Sequence, residues 1–365
     1  MDLAVKPSVV SAHLTSATKV KRPLFIWGPP GIGKSEIVED FALNKMPGNN
    51  TMIDLRLALF EPNDLRGYPW RNPETNRMEW SPADELPSLA FAQDYDNVVL
   101  FLDELNSAPP SVQAAAYQLV LNRRIGKYQL PDNVVIIAAG NRENDRGVTY
   151  KMPAPLANRF RHVGMEVSFD DWYSWAIKND INTDVTGFLS YFKSDLFDFD
   201  PKNASSAWAS PRSWVFCSEL LDAEFDQLEP AVQKSLVAGA IGEGMASKFV
   251  EHRRVSKLMP TPADIFSGAA KKLDPLMDNE ISAKYAMINA LSYELNQVNL
   301  NDNASFKPAL NNSLRFIFSN TSPEMVVLML RTILQEYRIK FNIRNDLDKD
   351  VYKTFSEKYT GYINS

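Results

Sequence analysis

The segment Gly28-Pro29-Pro30-Gly31-Ile32-Gly33-Lys34-Ser35 follows the apolar run Leu24-Phe25-Ile26-Trp27 and precedes Glu36-Ile37-Val38-Glu39. Its spacing, G-x-x-x-x-G-K-[ST] between a strand pattern and a helix pattern, constrains the fold more than any other feature, because it functions only as strand, loop and helix in that order. Glycines let such a loop wrap closely round a phosphate while successive backbone N–H groups point inward, and the helix N-terminus adds partial positive charge. Lys34 is then placed to reach the β- and γ-phosphates, and Ser35 to set its hydroxyl on Mg²⁺. Gly28 to Ser35 are therefore the candidate nucleotide-binding residues, with ATP and Mg²⁺ the expected ligands.

Two further strand ends belong to the same chemistry. Val98-Val99-Leu100-Phe101-Leu102 leads into Asp103-Glu104-Leu105-Asn106, and in an open parallel sheet ligands lie outside the carboxyl ends of the strands. Asp103 suits the Mg²⁺ shell together with Ser35, and Glu104 suits polarising an attacking water, since an in-line displacement needs an oriented nucleophile. The run Val134-Val135-Ile136-Ile137-Ala138-Ala139 ends in Gly140-Asn141. A neutral amide there can hold the water or a γ-phosphate oxygen without competing for the metal.

From Leu24 to about Val167 short aliphatic runs (LFIW, TMIDL, VVLFL, VVIIAA, VGMEV) alternate with segments of helical periodicity. Runs apolar on both faces fit a parallel sheet covered by helices on both sides. Beyond Asp170 the strand signal fades, and helices are expected over 172–178, 211–221, 230–250, 283–298 and 323–341. The length of 365 residues favours more than one domain. Junctions are expected near Phe169-Asp170 and in the turn-rich stretch 257–266, where Pro260 and Pro262 interrupt helix. The division is an α/β nucleotide-binding domain over 1–168, a helical domain over 169–256 and a further helical region over 257–365.

The balance of 39 Lys and Arg against 45 Asp and Glu, net −6, offers no overall positive field for nucleic acid or anionic lipid. The single Cys217 excludes an intramolecular disulfide, and the N-terminus shows no leader pattern, which favours a reducing, cytoplasmic setting. No apolar stretch is long enough for a bilayer span. His13, His162 and His252 lack metal-ligand spacing, and Cys217 lies in an apolar helical segment that suits packing.

With GPPGIGKS, VVLFLDELN, AAGN, PLANRFRHV and ASPRSW in this order, the chain resembles the AAA+ ATPases, and within them the MoxR-like group. The resemblance covers about Leu24 to Leu221. It implies an αβα sandwich with a parallel five-stranded sheet, an all-α lid and ATP hydrolysis. It implies Gly28 to Ser35 as the first nucleotide motif, Asp103 and Glu104 as the second, and Asn141 as the first sensor. Arg159 in ANRF matches the arginine finger that completes a neighbouring subunit's site, Arg161 being the alternative, and Arg212 in SPRS matches the second sensor. Arginine suits both places because its charge is permanent and its planar fork matches phosphate. The same resemblance implies a homo-oligomeric, hexameric ring that remodels or matures a protein client, often one with a von Willebrand factor A domain. A nucleic-acid motor of restriction or replication type and a nucleotide-switched scaffold are the alternatives. No motif is legible after Lys257.

GYPWRNPETNRMEW, Gly67 to Trp80, has two aromatic-bearing arms about a polar turn and reads as a β-hairpin. In the resembling group a hairpin here faces the central channel, which makes Tyr68, Trp70 and Trp80 candidates for gripping a partner; packing across the hairpin is the alternative. The resembling group has a second hairpin at the place of residues 122–128 here, where Arg123, Arg124 and Lys127 either meet a partner or form a solvated loop. Arg142, Arg146 and Lys151 extend this basic region toward an expected subunit interface.

Overall fold

The computed structural model describes residues 4–359 except 143–144, 146–148, 201–205, 224, 257–258, 275–280 and 302; Arg146 lies outside the described residues. The chain divides into two compact units, 1–172 with 199–204 and 210–212, and 173–198 with 205–209 and 213–365.

The first unit is built on six parallel strands: β1 (Ala4–Val5), β2 (Leu24–Trp27), β3 (Asn50–Arg56), β6 (Asn97–Asp103), β9 (Val134–Gly140) and β10 (Arg161–Met165), in the spatial order β1-β10-β2-β9-β6-β3. The five expected strands are all present, and the two-residue β1 adds a sixth at the edge beside β10. Residues 98–102 and the whole of β9 are buried, so both faces of these strands are covered; this is why their sequences read as continuous apolar runs rather than as alternation. Each such Val, Leu, Ile or Phe side chain contributes about 1.5–3 kcal/mol by leaving water. Their core also takes in Leu119, Leu130, Leu156 and Phe160 from the covering segments.

Two small antiparallel ribbons project from this layer: β4 (Tyr68–Asn72) with β5 (Arg77–Ser81), and β7 (Arg124–Ile125) with β8 (Tyr128–Gln129). Both lie where hairpins are expected, the first from its turn chemistry and the second from the family resemblance. Asn72 Oδ1 accepts from the N–H groups of Glu74 and Thr75, closing the first turn, and Asn76 takes the left-handed conformation it tolerates (φ 52°). Gly67 at the base has φ 82°, and a Cβ there would meet Ser81 O, so only glycine fits. Trp70 is 45% and Trp80 42% exposed, so their rings are not consumed by packing.

The second unit is helical. Among the described residues its helices include Thr183–Tyr191, Pro230–Ile241, Glu243–Ser256, Ile281–Asn301, Asn303–Asn320, Pro323–Arg331 and Lys349–Lys358. The helix expected over 230–250 is broken at Gly242, whose φ of 89° is a left-handed conformation, and a Cβ there would lie 2.9 Å from Ala207 O. Side chains from Ile265 to Tyr359 form one hydrophobic core, so the motif-free C-terminal region is a packed body. Arg253, only 8% exposed, donates to Asp184 and through both NH groups to Asp226, and lies over the Phe225 ring. Cys217 is buried, with its thiol pushed up to about 12 by desolvation, as a packing residue. No helix among the described residues is long and apolar enough to cross a membrane.

Candidate functional site

The loop after β2 is shaped by its glycines. Gly31 and Gly33 have φ of 77° and 88°, conformations that cost other residues strain. At Gly28 a Cβ would lie 2.7 Å from Ile32 Cδ1 and 3.0 Å from Met165 O, because Ile32 folds back beneath the loop and is itself buried. Pro29 and Pro30 span the turn between them. The helix Lys34–Asp40 starts from Gly33. The N–H groups of Gly31, Ile32, Gly33, Lys34 and Ser35 have no backbone acceptor among the described residues, which leaves a row of donors at a helix start, where an anion binds.

Lys34 Nζ donates to Gly28 O and Pro29 O, each at 2.8 Å, and to Asn141 Oδ1 at 3.0 Å. Burial lowers its pKa to about 8, against the opposing charges of Asp103, Asp145 and Glu104. Ser35 Oγ donates to Asp103 Oδ2 at 2.9 Å. Asp103 ends β6 and is 9% exposed; its other oxygen accepts from Glu104 N–H. Glu104 is exposed and sits in the left-handed region at φ 53°, strain of the sort that persists where a side chain must be aimed. Five of the expected residues, Lys34, Ser35, Asp103, Glu104 and Asn141, thus converge at the carboxyl ends of neighbouring strands.

An open pocket of about 590 Å³ lies there, lined by Ser35, Glu36, Asp54, Asp103, Glu104 and Arg212, among others. Arg212 N–H donates to Gly31 O at 3.1 Å, and residues 210–212 belong to the first unit although they open the helix Pro211–Asp222. Arg212 therefore stands beside the loop. Arg159 does not: Arg161 is in register with Leu24, so Arg159 lies at the entry of β10, about 13 Å of strand away from the loop that follows Trp27. Its side chain is exposed, whereas Arg161 donates to Ser16 Oγ at 3.1 Å.

Several residues were missed or misread from sequence. Arg123 is half-buried, and its guanidinium donates to Pro131 O at 2.6 Å and Val134 O at 2.8 Å, pinning the entry of β9. Lys127 approaches Glu79 of the first ribbon at 3.8 Å, while Arg124 and Lys151 are exposed. Asp54 and Arg56 of β3 line the pocket, and burial together with the charge of Asp103 raises the Asp54 pKa. The register Arg56↔Asp103 puts these strand ends side by side. Asn106, two residues after Glu104, is 2% exposed, and its Nδ2 donates to Asn141 O at 2.7 Å. Its place in the quoted DELN was the one available signal. His162, set aside as a metal ligand, accepts from Trp27 Nε1 at its Nδ1 (2.9 Å) and so donates from Nε2 to Ala157 O (2.8 Å).

Residues 23–160 match the model of an AAA domain, dynein-related subfamily. Midasin of Giardia intestinalis is 26% identical over 187 residues, covering 49% of this chain and 4% of that protein, so the chain spans a small part of that relative's length. Among solved structures, NtrX of Brucella abortus in complex with ATP is 13% identical with a TM-score of 0.39, covering 93% of this chain and 70% of that one. A mutant form of RuvB of Thermotoga maritima is 14% identical with a TM-score of 0.38, covering 82% of this chain and 85% of that one. With the phosphate loop, the acidic strand end and the polar strand end inside the matched segment, the chain carries an AAA+ ATPase domain.

Proposed function

We propose that the domain hydrolyses ATP with Mg²⁺ as a subunit of a MoxR-like ring, and that the ring remodels a protein partner in the cytoplasm. The observation that carries this reading is the separation of parts: Lys34, Ser35, Asp103, Glu104, Asn141 and Arg212 gather at one end of the sheet, while the exposed Arg159 stands at the other. An arginine that cannot reach its own site is suited to a neighbour's.

The residues fit Mg·ATP. Ser35 and Asp103 are hard oxygen donors already paired with each other, and the loop offers a row of N–H groups beside a lysine. Ser35 and Asp103 would hold Mg²⁺, which when bound would supply positive charge against the charge that develops on the phosphates. Lys34 holds the β- and γ-phosphates, Glu104 accepts a proton from the attacking water, and Asn141 orients that water or a γ oxygen. Arg212, permanently charged and next to Gly31, reports on the same phosphate. A protein client, such as one with a von Willebrand factor A domain, is favoured over nucleic acid by the exposed Tyr68, Trp70 and Trp80 and by the inward turn of Arg123.

The test is complementation. Purified protein should release phosphate steadily, and Lys34→Ala, Glu104→Gln and Arg159→Ala should each abolish release. Mixing Glu104→Gln with Arg159→Ala should restore a fraction of it, since one variant supplies an intact arginine and the other an intact loop and acidic pair. Failure of the mixture, with both variants folded, would refute the shared site. Phosphate release by Lys34→Ala at the native rate would refute the ATPase site itself.

A further inference from the structure

Asn106 is almost wholly buried at the exit of β6, three residues after Asp103. Its side chain and its backbone bind different partners. Nδ2 donates to Asn141 O at 2.7 Å, and its own carbonyl accepts from Tyr150 N–H at 2.7 Å. Leu105 N–H also donates to Ala139 O at 3.1 Å, so the pairing of β6 and β9 continues one step beyond the strands and ends on Asn106. One residue thus holds the chain on both sides of the stretch between Asn141 and Tyr150.

The fit around this amide is tight and incomplete. A Cβ on Gly140 would lie 2.0 Å from Asn106 Oδ1, so glycine at 140 is what admits the side chain. Among the described residues Oδ1 itself is buried without a hydrogen-bond partner. A buried acceptor left unpaired is destabilising, and packing alone gives no reason to prefer asparagine over a leucine of similar size. The group that accounts for the asparagine is the Nδ2 donor, and its acceptor is the backbone of the residue whose own amide meets Lys34 at 3.0 Å.

We propose that Asn106 is a positioning residue: its Nδ2 bond to Asn141 O fixes the Asn141 backbone, and so aims the Asn141 amide at the Lys34 ammonium and the γ-phosphate position. The bond ties the turn that carries Asp103 and Glu104 to the strand end that carries Asn141. The acidic pair and the Asn141 backbone are then held as one rigid group. The inference rests on the reading above that Asn141 contacts the γ-phosphate or the attacking water.

The effect belongs to turnover rather than to ground-state binding, because the loop N–H groups and Ser35 do not pass through Asn106. Asn106→Ala and the shape-preserving Asn106→Asp, each of which removes the donor, should lower kcat for ATP at least tenfold, in the range seen for loss of a preorganised polar group. Binding of ADP should change by less than about threefold, since the loop contacts remain. In the Asn141→Ala background the Asn106 changes should have no further effect on kcat, because a residue acting through another is silent once the other is gone. Melting temperature with ADP identifies the variants that fold, and crystals of the native protein with ADP and beryllium fluoride should retain the Nδ2 to Asn141 O bond.

The proposal is overturned by native kcat in a folded Asn106 variant, by an undiminished further loss in the double variant, or by a broken Nδ2 bond in those crystals. If Asn141→Ala keeps native turnover while Asn106→Ala loses it, Asn106 does not act through Asn141 and the proposal fails, although the ATPase reading stands. If Lys34→Ala and Glu104→Gln also keep native turnover, it is the reading of the site that fails.

Discussion

Raising the pH from 7 to 9 should weaken ATP binding about tenfold through Lys34 alone. Burial holds the free protein's Lys34 pKa down at about 8, from an ordinary 10.5. The loop binds phosphate well only while this amine is charged, so the apparent Kd scales as the inverse of the protonated fraction. That fraction falls from about 0.9 at pH 7 to about 0.1 at pH 9, a loss of about 1.4 kcal/mol in binding. The nucleotide's phosphates restore the proton, so binding at pH 8.5 should take up about 0.75 of a proton. A terminal phosphate titrates near pH 6 and does not contribute in this window. Calorimetry in buffers of different ionisation enthalpy reads both quantities, and Lys34→Arg, which keeps its charge, should bind with a flat profile. Stability of the free protein should move the opposite way. Between about pH 8 and 10.5 the unfolded chain binds more protons than the folded one, so folding is favoured as pH rises through that range. A Kd constant within twofold from pH 7 to 9, or no proton uptake at pH 8.5, would refute the assignment of a buried, partly discharged Lys34.

Three further outcomes follow from the packing. Gly140→Ala puts a methyl group 2.0 Å from Asn106 Oδ1 and 2.9 Å from Phe25 Cζ; it should cost about 1–3 kcal/mol in urea unfolding, as overpacking does, and Asn106→Ala in the same chain should recover part of the loss. Arg123→Ala removes the bonds to Pro131 O and Val134 O and should destabilise by about 2 kcal/mol. Its signature is a lower melting temperature that salt does not restore, not a change in partner affinity. Arg253→Met leaves Asp184 and Asp226 without their shared partner; these carboxylates keep 29% and 57% of their exposure, so the loss is about 2 kcal/mol, below the 3–5 of a fully buried pair. Urea midpoints of the variant and native protein measure it.

The site was legible because its chemistry is local in sequence. Gly28 to Ser35 is one contiguous loop, and Asp103, Glu104 and Asn141 each stand at the end of an apolar run whose burial on both faces announces a parallel strand. What was not legible depends on partners far apart in the chain. Arg123 reads as part of a basic turn until the carbonyls of Pro131 and Val134 are seen to receive it. Asp54 and Arg56 gain meaning only from the β3–β6 register. The helix Asn303–Asn320 was missed because Pro308 and its asparagines argue against helix locally; burial of Phe306, Leu310, Leu314 and Ile317 along one face overrides that. The helix expected over 230–250 failed for the reverse reason, since periodicity continues through Gly242 while the backbone does not.

The contacts of Lys34 bear on how the site changes when it binds. The ammonium directs its donors to Gly28 O, Pro29 O and Asn141 Oδ1, and its three hydrogens are then all committed. Holding a β- or γ-phosphate requires that at least one of these bonds be exchanged. Gly28 and Pro29 belong to the loop that must itself enclose the phosphate, and Gly28 is fastened from behind by its N–H to Gly140 O at 3.2 Å. The Asn141 amide is the partner that can turn away about its side-chain torsions without moving the loop. If Lys34 holds phosphate as proposed, the Asn141 oxygen is released to the attacking water. Because Asn106 holds the Asn141 backbone in place, that release changes where the amide points and not where the residue stands.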